Sequence, residues 1–185
     1  MKKRKVILVT DGDRAAKEAV EKAAANIGGR CISSSAGNPT VLSGEEIVRR
    51  ILTAPNDPVV VMVDDKGALG KGPGEAAMEF MLENKQLDVL GIVAVSSMGK
   101  DCNGLDIKLS VTKAGKVVKN AVNKNGDDTK NNKVCGDTLS ILKSRRDLFI
   151  VGMGDPGKMD YQDDVRKGAP ITTKALRIIL DAWQR

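Results

Sequence analysis

Histidine is absent from the 185 residues, and aromatic side chains make up only 2% of them. The first absence removes the usual base for a Ser–His or Cys–His pair, so no catalytic residue is assigned. The second leaves a core of Val, Ile, Leu, Met and Ala, with Trp183 as the one indole. Cys31, Cys102 and Cys135 form no CxxC pair, which leaves a zinc site or a redox dithiol without support. Their odd number, with no signal peptide, points to a reducing compartment. Long apolar runs are missing too. The basic residues 1–5 are followed by an apolar run of only five residues before Asp11, too short for a signal peptide's hydrophobic region. The longest apolar stretches, 59–63 and 89–95, fall far short of the roughly 20 residues that span a bilayer. The expectation is a soluble chain without a signal peptide or a transmembrane segment.

What is present points to one α/β domain over residues 1–185, since 41% apolar residues suffice for a core. The net charge is +6. Residues 98–147 hold eleven Lys or Arg against six Asp or Glu, so most of the excess sits there. A solvated basic loop is the plain reading of that segment; contact with an anionic membrane surface or a ligand is the functional one. Nucleic acid is disfavoured, because no aromatics are interleaved for base stacking.

Residues 5–10, 30–34, 59–63, 89–96 and 148–153 read as strands. Residues 14–27, 44–53, 75–84 and 172–184 carry helical spacing. Ser43 with Glu46 makes a capping box ahead of the second helix, and Trp183 closes the core stripe of the last. Such alternation predicts a three-layer fold, a mainly parallel sheet with helices on both faces. After the fourth strand the rhythm breaks into a long basic insertion, irregular over 98–133. Within it, 106–111 and 116–118 suggest a hairpin, 120–133 a loop and 137–143 a short helix.

Several strands end in acidic, glycine-containing turns. In an open α/β sheet, ligands bind beyond the carboxyl ends of the strands. Asp11, Asp13, Asp64 and Asp155 therefore form a candidate site for Mg²⁺ or Ca²⁺, which prefer several oxygen ligands. The alternative is that Asp11 or Asp13 caps the following helix and that Asp64 and Asp65 merely end a buried strand. The loop 66–74 precedes a helix, where backbone N–H groups attract anions. Gly67, Gly70, Lys71, Gly72 and Gly74, with Asn38 from the turn 36–39, are its candidate ligand-binding residues. Neither a P-loop nor a dinucleotide fingerprint is present.

Residues 5–13 (KVILVTDGD), 29–46 (GRCISSSAGNPTVLSGEE), 61–74 (VMVDDKGALGKGPG) and 152–170 (GMGDPGKMDYQDDVRKGAP) are together similar to the soluble stage V sporulation protein AE family. The resemblance runs nearly end to end and is weakest over 100–133. It implies a bacterial spore protein of the SpoVA group, concerned with moving dipicolinic acid, as its calcium complex, during sporulation and germination. It further implies a non-enzymatic accessory component without a cofactor of its own, peripheral to the inner spore membrane, with other SpoVA-group or germination proteins as partners. Homo-oligomerisation stays open. The fold also resembles the Toprim arrangement, which implies the alternative of a Mg²⁺-dependent enzyme or an anion- or nucleotide-binding domain. Asp11 stands where that family has a glutamate, and Asp64–Asp65 is an adjacent pair where it has DxD.

Overall fold

The computed structural model describes residues 2–68, 70–97 and 103–184. Chain order begins β1 (Arg4–Val9), α1 (Arg14–Asn26), β2 (Arg30–Cys31), α2 (Gly44–Thr53), β3 (Val59–Met62), α3 (Pro73–Glu83) and β4 (Leu87–Ser96). It continues with the short strands β5 (Leu105–Asp106), β6 (Ser110–Val111), β7 (Val117–Val118) and β8 (Lys133–Val134), then β9 (Ile150–Gly154) and α4 (Pro170–Trp183). Short 3₁₀ turns occupy Ser33–Ser35, Ser140–Ser144 and Val165–Lys167.

The main sheet runs β2-β3-β1-β4-β9-β6-β7. All its pairings are parallel except β6 with β7. Because strand side chains alternate, β1 feeds two cores. Val6 and Leu8 pack with Ile47, Ile51, Met78 and Met81 of α2 and α3. Ile7 and Val9 pack with Val20 and Ala23 of α1 and Leu176 and Ile179 of α4. The chain moves one way from β1 to β2 through α1. It returns to β3 and crosses to β4 through α2 and α3 on the other face, as right-handed crossovers require. The connections leaving β1 and β3 therefore diverge to opposite faces, opening a crevice between those neighbours' carboxyl ends.

Helix signals in the sequence translate closely. The Ser43 hydroxyl accepts from the Glu46 N–H while the Glu46 carboxylate accepts from the Ser43 N–H, completing the capping box. Three expectations change. The second strand keeps only two residues before turning into 3₁₀. Trp183 leaves the core: it is 44% exposed, and the Lys5 ammonium lies 3.6 Å from its ring centroid. A cation on an indole face holds the ring at the surface. The long basic insertion forms the suggested hairpin as β6–β7 and, where it is described, holds more order than expected. The hairpin β6–β7 joins the main sheet beside β9, β5 pairs with β8, and Ala121 and Val122 are buried. A few apolar side chains suffice to pin a polar segment onto an existing sheet. The remainder of that segment, 98–102, lies outside the described residues, and Cys102 with it. Cys31 is a free buried thiol, its pKa pushed up to about 12 by burial, and Cys135 is disulfide-bonded. No described helix is long and apolar enough to cross a membrane.

Candidate functional site: an acidic edge at the strand ends

Asp11 and Asp13 follow β1, Asp64 follows β3 and Asp155 follows β9. Parallel strands put all of them on one edge. Carboxylate oxygens of Asp11, Asp13 and Asp155 lie within 4.8 Å of one another. Asp64 is drawn to the crevice instead. Its Oδ2 accepts from the Gly12 N–H at 3.1 Å and its Oδ1 from the Lys66 N–H at 2.8 Å. The Asp64 N–H in turn donates to the Thr40 hydroxyl at 2.8 Å, tying β3 to the turn after β2.

The glycine between the two aspartates has a packing reason. A Cβ on Gly12 would lie 2.5 Å from the Gly37 carbonyl oxygen, because the turn bearing Asn38 presses against this strand end. Asn38 precedes Pro39 through a cis peptide bond and borders the site at that contact.

Local duties account for part of each carboxylate. Asp13 Oδ1 accepts from the Ala16 N–H at 2.9 Å and so caps α1. Asp11 Oδ1 accepts from the Asp13 N–H at 3.2 Å, and Asp155 Oδ1 from the Gly157 N–H at 2.8 Å. Capping and convergence coexist, since each carboxylate has a second oxygen.

The electrostatics are strained in one direction. Burial, then the neighbouring Asp13, holds the Asp11 carboxyl well above its usual range. Burial likewise raises Asp64 against the backbone N–H groups that favour its charge. Asp155 is raised by burial first and by Asp13, with Lys158 and Lys124 opposing. Crowded, desolvated carboxylates gain most from a nearby cation. Three hard oxygen donors suit Mg²⁺ or Ca²⁺, with the remaining ligands left to water or a bound anion.

Asp65 goes elsewhere, because neighbouring residues at a strand end diverge. Its Oδ1 accepts from the Gly74 N–H at 2.6 Å and its Oδ2 from the Glu75 N–H at 3.1 Å, capping α3. This changes the glycine-rich loop. Gly67 N–H donates to Asp137, and the Lys71 ammonium pairs with Glu79. The protein's own carboxylates thus hold these anion-attracting groups. Gly72 and Gly74 are needed for close approach: a Cβ on Gly74 would sit 2.7 Å from the Asp64 backbone. Gly70 turns the chain at φ +84°.

Two buried carboxylates escaped the sequence reading. Glu75 is fully buried and accepts from the N–H and hydroxyl of Ser140. Asp163 accepts from the N–H groups of Ile171 and Thr172, at 2.7 and 3.0 Å, and caps α4. These contacts bridge 65 and 8 to 9 residues, beyond any local capping pattern.

The family model described as SpoVAE, stage V sporulation protein AE1, matches residues 5–182 of this chain. No curated protein and no solved structure matches it.

Proposed function

Because this chain belongs to the stage V sporulation protein AE family, we propose that it serves sporulation as a non-enzymatic accessory protein whose acidic edge binds a divalent cation. In this reading it lies against the inner spore membrane among other SpoVA-group or germination proteins and assists the movement of dipicolinic acid as its calcium complex. A sporulation role comes with the family. The observation that supports the cation is the convergence of Asp11, Asp13 and Asp155 within 4.8 Å. Ca²⁺ takes six to eight oxygens, so three carboxylates leave room for oxygens of a carboxylate ligand.

The same convergence favours a second reading, a Mg²⁺-dependent Toprim-like domain acting on a phosphate compound. Opposing it, Asp64 and Asp65 point to different partners and do not act as a pair on one metal.

Calorimetric titration with Ca²⁺ and Mg²⁺ tests the site. Saturable binding is expected, at least about tenfold weaker in Asp11→Asn and Asp155→Asn, since each removes a charged ligand. The same substitutions in the chromosomal gene should slow dipicolinic acid accumulation or release. Unchanged binding in the variants removes the cation site, and normal spore kinetics removes the accessory role. Turnover of a phosphate compound with Mg²⁺, lost in Asp11→Asn, would favour the second reading.

A further inference from the structure

The opposite edge of the sheet has the opposite character. Where the chain runs into the amino ends of β6 and β9, beside the 3₁₀ turn Ser140–Ser144, lies a cavity of about 760 Å³. Five cations and two carboxylates line it. Both carboxylates are committed: Asp106 pairs with Lys133 at 2.9 Å, and Asp147 holds Arg145 through two contacts of 3.1 Å. Lys108, Lys143 and Arg146 remain, and their side chains have no hydrogen-bond or ion-pair partner among the described residues. The wall also carries Leu148 and Phe149, the latter 38% exposed. Three cations without a described partner, beside apolar surface in a cavity of ligand size, offer what an anionic ligand with an apolar body needs.

We propose that this cavity binds an organic phosphate, with the phosphate on Lys108, Lys143 and Arg146 and the apolar body against Leu148 and Phe149. A surplus of three positive charges exceeds what one carboxylate neutralises, and a guanidinium matches the oxygens of phosphate in paired contacts. The site stands apart from the acidic edge and does not depend on the cation reading. Two sources present this chemistry: the headgroup of an anionic phospholipid and a free phosphate ester.

The test compares the full-length protein with the triple variant Lys108→Gln, Lys143→Gln, Arg146→Gln. A control triple, Lys22→Gln, Lys119→Gln, Arg177→Gln, removes the same charge from exposed positions outside the cavity. The probes are phosphatidylglycerol–phosphatidylcholine vesicles, pure phosphatidylcholine vesicles and soluble phenyl phosphate. Salt-sensitive binding to the anionic vesicles, weakened about 100-fold by the cavity triple and little by the control, supports the site and assigns it to the membrane. Binding of phenyl phosphate with the same dependence on the cavity triple, without vesicle binding, supports it and assigns a soluble ester. Absence of binding to both probes, or equal weakening by the two triples, overturns it. Circular dichroism of both triples checks that the fold is kept.

Discussion

Asp163 is 1% exposed beneath the first turn of α4. Burial raises its pKa, while its bonds to Thr172 and Ile171 favour the charged form. Asp11, Asp64, Asp65 and Asp155 are raised for the same leading reason. A carboxyl whose folded pKa exceeds its unfolded value binds protons more readily when folded. Stability linked to it therefore grows as pH falls from neutrality towards about 4, the ordinary carboxylate value. Asp164 behaves in the other sense. Its bonds with Arg166 hold it at about 2, so its contribution is constant across that window and is lost only in stronger acid. Asp163→Asn keeps the acceptor oxygen for the helix N–H groups and removes the titration. Urea midpoints measured from pH 7 to 4.5 should rise less steeply in this variant than in wild type. Identical slopes would show that burial of this carboxyl is not linked to folding.

Helix starts differ at the scale of the element. The cap of α2 is local, Ser43 and Glu46 three residues apart, and it was legible from the sequence because both halves of the signal lie in one turn. Ser43→Ala should cost about 1 kcal/mol in chemical denaturation, with cation binding unchanged. A loss near zero would mean that packing of Ile47 and Ile51 alone holds the helix. The caps of α3 and α4 are Asp65 and Asp163, each eight or more residues ahead of the N–H groups they satisfy. Asp65 read as the polar end of a strand and the glycine-rich loop as an open anion cradle. Only the fold brings that carboxylate under that helix, where it takes the place of an external anion.

Charge is polarised across the described molecule, with crowded carboxylates at the carboxyl edge of the sheet and, at the amino edge, cations that have no partner among the described residues. The segment between β4 and β9 joins these two edges. The turn after β7 accepts from the acidic side, where the Asp155 N–H donates to the Lys124 carbonyl at 2.9 Å. The stretch entering β6 lines the basic cavity. Hydrogen exchange should show the amides of Thr112, Ala121 and Gly152 protected, since each donates to the backbone within or against this segment. Rapid exchange at all three would return it to the solvated loop that its composition suggests.

Periodicity in the sequence by itself determined the α/β alternation, the helices and the placement of Asp11, Asp64 and Asp155 at strand ends. Those features rest on spacings of two to four residues, which local chemistry dictates. The tertiary structure alone decided that Asp11, Asp13 and Asp155 converge while Asp64 and Asp65 part, and that Trp183 lies outside the core under Lys5. It also decided that the hairpin suggested in the basic segment docks beside β9 and extends the main sheet. Those outcomes depend on strand order and on contacts across tens of residues, which no local pattern encodes.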